Sequence, residues 1–334
     1  MPIYSVNLGF SYVPDTIRAW IGSSKLIVDE VDPIVGRFNI EVPSGRKGII
    51  SIDYQRRLFQ GGGPKKDRIL GKSDTCIYCG SASALSKEHI IPYALEGDFI
   101  IEDGSCRACA KETGQFEQKV LRDALLAPRT ALKLRTRRPK ERPTSFPLLR
   151  KVDGVERVIN VPAAVYPSYL ALPLLALPAY LRGDDSPNLK ITPPGSRLIL
   201  VSAATNADAA RQIGEEAVGV RIRLNIYAFA RMLAKIAHGF VAVADCGAVE
   251  CFLPGPMFAK DESIGRWVGG APDITVPAEG THGVRIDLVD GELHVRIRLF
   301  AQLGGPEYLV VAGRLIEPSS GARPFATVES TVSH

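Results

Sequence analysis

Four thiols and one acid–imidazole pair are the residues best equipped for chemistry, and they share the stretch from Cys76 to Glu117. Cys76 and Cys79 form one Cys-x-x-Cys knuckle, and Cys106 and Cys109 form a second, with 26 residues between the pairs. A tetrahedral zinc takes four soft ligands at about 2.3 Å, and two x-x-spaced thiol pairs supply them. Such a site is structural, because four thiolates leave no position open to water. Inside the loop that the zinc would close stands Glu88-His89-Ile90-Ile91-Pro92. A neutral imidazole is a suitable general base near pH 7. A carboxylate beside it can hold a hard divalent cation that stabilises charge building on a phosphate. Neighbours on a regular strand face opposite sides, so a shared site requires a bend between Glu88 and His89.

Cys-x-x-Cys, then Glu-His-Ile-Ile-Pro, then Cys-x-x-Cys leading into a helix-like run resembles the zinc-stapled HNH endonucleases of the ββα-metal (His-Me finger) superfamily. The resemblance covers about residues 72–125, a minority of the chain. It implies a ββα-metal module that hydrolyses phosphodiester bonds, with Glu88 binding a catalytic Mg²⁺ or Mn²⁺ and His89 activating water. The family usually has Asn directly after the last cysteine as a second metal ligand; here that residue is Ala110. A middle Asn normally orients the histidine, and its place falls at Ile101. Asp103 lies two residues further on, which on a strand keeps the same face, so it is the candidate to hold the His89 ring. Thr113 and Glu117 are four apart and share a helix face. Glu117 is therefore the candidate second ligand, ahead of Glu112. Two alternatives belong to other classes: a zinc-dependent nucleic-acid-binding protein that does not cut, and a zinc-stabilised protein-interaction module.

Basic residues flank this stretch. Lys65, Lys66, Arg68 and Lys72 lie in a glycine-rich segment, 61–74, and Arg107 follows Cys106. Downstream, Arg129, Lys133, Arg135, Arg137 and Arg138 begin a tract that continues through Lys140 and Arg142 against one acid, Glu141. Side chains of this kind bind phosphate without reading sequence, and with a steep salt dependence. Nucleic acid is the expected partner, DNA ahead of RNA. Gly71-Lys72-Ser73 has the ending of a phosphate loop, but its upstream glycine falls at the wrong spacing, which excludes a nucleotide-binding loop.

The elements that must position these residues fit an α+β chain of several domains, since 334 residues is long for one. The expected order is a small β-rich N-terminal unit (1–60), the basic Gly-rich linker (61–74), the zinc module (75–127) and a basic Pro-containing linker (128–148). A larger mixed α+β domain (149–318) and a loose tail (319–334) follow. Hydrophobic residues make up 46% and charged residues 23%, ordinary for a globular protein with a core. Strands are expected over 26–34, 37–42 and 197–202. Hairpins are expected at Asp153-Gly154 and Asp290-Gly291, and a helix over 204–217. The clearest helix runs from Asn225 to about Val241, with Ile226, Phe229, Ala230, Leu233, Ile236 and Ala237 on one apolar face. His238 near its end reads as a core or capping histidine.

Six cysteines in a chain this long do not suggest a secreted disulfide scaffold. The N-terminus lacks the basic start and apolar run of a signal peptide. The apolar run at 169–181 is too short to span a bilayer and contains Pro173 and Pro178. Cytoplasm is the expected location, with no membrane partner. The C-terminal domain has no chemical motif that names its role, which leaves three open: sensing a ligand, recognising a protein partner, or bracing the nuclease module.

Overall fold

The computed structural model describes residues 67–316, apart from 153–154, 216, 245–247, 260 and 272–280, together with five strands between residues 4 and 53. Lys65, Lys66 and the expected loose tail lie outside the described residues. The protein is mixed α+β and divides into two units, each assembled from separated stretches of chain. The first comprises Met1–Gly62, Leu121–Leu174 and Pro193–Asn225; the second comprises Gly63–Val120, Leu175–Thr192 and Ile226–His334. Residues expected to form one C-terminal domain are thus shared between the two.

The first unit begins with β1 (Tyr4–Val13), β2 (Thr16–Ile21), β3 (Ser24–Ile27), β4 (Val35–Glu41) and β5 (Lys47–Asp53). The chain then enters the second unit as β6 (Arg68–Lys72), β7 (Leu85–His89), β8 (Phe99–Cys106) and α1 (Arg107–Arg122). It returns to the first as α2 (Leu126–Ala131), β9 (Ser145–Val152), β10 (Val155–Pro162) and β11 (Tyr169–Leu175), and completes it with β12 (Ile191–Leu200), α3 (Asn206–Gln212) and β13 (Ala217–Leu224). Its strands form one sheet in the order β10-β9-β13-β1-β2-β3-β4-β5-β12-β11, antiparallel from β10 through β5, with β12 parallel to β5. β9 and β10 pair outward from Val152 and Val155, which flank Asp153-Gly154. A capping box at Thr205 and Asp208 starts α3, satisfying two backbone donors at its first turn.

The remainder of the second unit is α4 (Ile226–Val243), β14 (Val249–Cys251), α5 (Pro254–Phe258), β15 (Val268–Gly270), β16 (His282–Val289), β17 (Glu292–Leu299) and β18 (Glu307–Leu315). A small sheet has the order β6-β8-β7, and a larger one β14-β18-β17-β16, with β15 also paired to β18. Asp290 and Gly291 join β16 to β17 with φ of 49° and 79°, the positive pair that a tight two-residue hairpin needs.

α4 is the centre of this unit. Every residue from Ile226 to Val241 is buried, so the helix has two packed sides rather than one. Phe229 meets Tyr308 of β18 edge-on at 5.2 Å, while Phe240 meets Phe99 of β8 at 6.0 Å. Gly239 lies so close to Ile90 that a Cβ there would stand 3.0 Å from Ile90 Cγ2. By length and composition α4 could also cross a membrane; 89% of it is buried inside the protein, as in a core helix. A helix packed on all sides has no solvent for its polar side chains, so Arg231, Lys235 and His238 must find partners within the fold.

Candidate zinc centre and the buried ion cluster beside it

The first knuckle turns at Gly80, whose φ of 72° suits glycine and whose N–H donates to the Cys76 carbonyl at 2.8 Å. Ile77 N–H donates to the Gly104 carbonyl of β8 at 3.0 Å, tying this knuckle to the strand that ends at Cys106. The second knuckle is the junction of β8 and α1. There the Cys109 N–H donates to Cys106 Sγ at 3.5 Å, which draws the Cys106 thiol down to about 7. Burial, and then the other thiols, push Cys109 up. All four sulfurs lie within 4.8 Å of one another, and Cys79 Sγ is 3.7 Å from Cys106 Sγ. Sulfurs at two corners of a tetrahedral zinc site are about 3.8 Å apart. The donor set therefore fits a metal ion such as zinc, held in four-thiolate coordination.

Glu88 and His89 end β7 in regular pairing, opposite Ile101 and Ile100 of β8. No bend separates them, and their side chains find different surroundings. Glu88 is buried and meets Lys235 of α4. His89 lies edge-on to Tyr93, and its Nε2 is 3.7 Å from Asp67 Oδ1. The irregularity falls instead between Ser86 and Glu88, where β8 carries extra residues. Asp103 sits in that bulge with φ of 55°, its carboxylate 3.8 Å from Lys72 Nζ. The alternation that would aim Asp103 at His89 is interrupted there, and the carboxylate placed at His89 is that of Asp67.

Glu117 does join Glu88, and Lys235 joins both. The Lys235 ammonium is 2.7 Å from Glu88 Oε1 and 3.0 Å from Glu117 Oε1. It also donates to the His89 carbonyl and, at 3.3 Å, to the Ile90 carbonyl. Its side chain is 2% exposed. Burial alone would pull the lysine pKa down, but Glu117 and Glu88 outweigh it and the pKa ends raised. Burial, followed by the same two carboxylates, lifts the Tyr78 phenol well above its ordinary value. The place that a divalent cation would take between Glu88 and Glu117 holds an ammonium. With Lys235 between them, these residues do not fit Mg²⁺ or Mn²⁺ in this arrangement.

Two further side chains pin the same stretch. His238 lies one turn beyond Lys235; its Nε2 donates to the Ile77 carbonyl at 2.6 Å, and its ring stacks on Tyr78 at 5.4 Å. Burial lowers its pKa, leaving a neutral imidazole. His282 of β16 accepts the Phe300 N–H at Nδ1, 3.1 Å away, and so carries its proton on Nε2, which meets the Leu95 carbonyl at 2.5 Å. Sequence reasoning did not reach Lys235 or His282. The available signal was Arg231, Lys235 and His238 at i, i+4 and i+7, a basic stripe on an otherwise apolar helix.

Among the expected phosphate-binding residues, Arg68, Lys72 and Arg107 are exposed in the second unit, and Lys133, Arg137 and Arg138 in the first. Arg68 pairs with Asp98 at 3.0 Å and Arg138 with Glu141 at 3.3 Å. Arg135 is half-buried. Arg129 donates to the Leu121 carbonyl, and Arg142 to the carbonyls of Arg129 and Leu134, so these two shape the backbone of the tract. No family model, curated protein or solved structure matches this chain.

Proposed function

We propose that the protein is a zinc-stapled nucleic-acid-binding protein whose module is built like an HNH endonuclease but does not cut. Support for the ββα-metal reading comes from the order β7, β8, α1, with one knuckle before β7 and the other where β8 becomes α1. The observation that carries the non-cutting reading is the separation of the acid from the imidazole. Glu88 faces inward on Lys235, whereas His89 meets Asp67 and Tyr93. A general base and a metal must act on one phosphate, so an acid buried on a lysine and an imidazole turned elsewhere do not make a hydrolytic site. The nucleic-acid reading rests on exposed Lys72 and Arg107 near the module and on exposed Lys133, Arg137, Arg138 and Lys140 in the basic tract.

The test is fluorescence anisotropy with labelled duplex DNA, single-stranded DNA and RNA across a salt series. Binding should weaken steeply with salt, and by a similar factor for unrelated sequences. Affinity that is absent, or that salt does not alter, would refute the nucleic-acid reading and favour a protein-interaction module.

A further inference from the structure

Lys235 reaches the Glu88–Glu117 pocket from α4, whose sequence is far from both acids, and four oxygens converge on its ammonium. Two are carboxylate oxygens, Glu88 Oε1 and Glu117 Oε1, and two are the carbonyl oxygens of His89 and Ile90. Such a set of hard oxygens is the donor chemistry of Mg²⁺ and Mn²⁺. An ammonium brings one positive charge to a pocket with two carboxylates, where a divalent ion would bring two. The backbone of each acid belongs to a regular element, β7 for Glu88 and α1 for Glu117. Gly104 stands so close that a Cβ on it would lie 3.0 Å from Glu88 Cβ, and Glu117 projects from the 16-residue α1.

We propose that Lys235 is a tethered substitute for a divalent cation: its ammonium occupies a preformed oxygen site that binds Mn²⁺ or Mg²⁺ once the lysine is removed. The substitution keeps the acids and the backbone of residues 88–90 in a cation-bound arrangement while excluding the metal itself. The inference rests on the non-cutting reading above, but its test involves no nucleic acid, so the two can fail separately.

The experiment compares the zinc-loaded wild type with Lys235→Ala and Lys235→Ala/Glu117→Gln, titrated with Mn²⁺ and read by electron paramagnetic resonance of the free ion. Zinc content is measured alongside; manganese stands below zinc in the affinity order, so it does not displace zinc from the thiolates. Lys235→Ala should take up one Mn²⁺ per chain at least tenfold more tightly than the wild type, and the double variant should lose that gain. Equal affinity in wild type and Lys235→Ala would overturn the proposal, as would a folded Lys235→Ala without uptake. Should Lys235→Ala fold poorly alone, its melting temperature is the readout. Recovery with Mn²⁺ but not with an equal ionic strength of Na⁺ supports the substitute-cation role, and no recovery overturns it.

Discussion

A sealed ammonium loses several kcal/mol of hydration and persists only where opposite charge and carbonyl oxygens replace the water. Glu88, Glu117 and the carbonyls of His89 and Ile90 do this for Lys235. Lys235→Met keeps much of the side chain's bulk but leaves two carboxylates together without their counter-charge. It should lower stability by about 3–5 kcal/mol, read as a fall in the urea midpoint. His238 gives a pH signature. Its folded pKa is depressed by burial, so as pH falls below about 6.5 the unfolded chain takes up the proton first. The contribution of this group is complete above that pH and is lost as pH falls toward the folded value. The decline in melting temperature between pH 7 and 5 should therefore be shallower in His238→Gln. The sequence places both residues on α4 and marks them as a polar stripe. It does not show what they meet, because nothing local links α4 to Glu88 or Ile77.

At the scale of elements, α4 joins the two sheets of its unit, and Gly239 sets how closely it approaches Ile90. Gly239→Ala puts a methyl group 3.0–3.4 Å from that side chain and should cost about 1–3 kcal/mol, measured by thermal unfolding. Cys106→Ser removes a ligand shared with the β8–α1 junction and should abolish stoichiometric zinc while loosening the module; zinc analysis and near-ultraviolet circular dichroism check both. Local chemistry made part of this legible from the sequence. The Asp290-Gly291 hairpin follows from two residues that tolerate positive φ, and the four-cysteine cluster follows from knuckle spacing. The expected helix from Asn225 likewise appears as α4. Its second packed side was not legible, because an apolar periodicity reports one face and not how many partners cover the helix. The bulge at Asp103-Gly104 was hidden for a similar reason: a period-two argument assumes unbroken pairing.

At the scale of the molecule, the chain moves between two units more than once, so neither is a continuous segment. Composition marks linkers but not returns. The proline-rich region near 140–150 reads as a boundary, yet the residues beyond it divide between both units. The basic tract belongs to the first unit and the four-cysteine cluster to the second, and each can be tested separately. Replacing exposed Lys133, Arg137 and Arg138 by Ala should weaken nucleic-acid binding uniformly across sequences. The log–log salt slope should flatten by about one for each phosphate that the variant no longer neutralises.

On the proposed reading, the protein binds nucleic acid without cutting it. That reading is tested most directly by incubating the zinc-loaded protein with supercoiled plasmid and with labelled single strands, with added Mg²⁺ or Mn²⁺, beside His89→Ala. Salt-sensitive binding by both proteins is expected, with no nicking above the buffer control by either. Cation-dependent nicking by the wild type that disappears in His89→Ala, with zinc content unchanged, would contradict that reading and make His89 and a divalent cation the working parts of a nuclease.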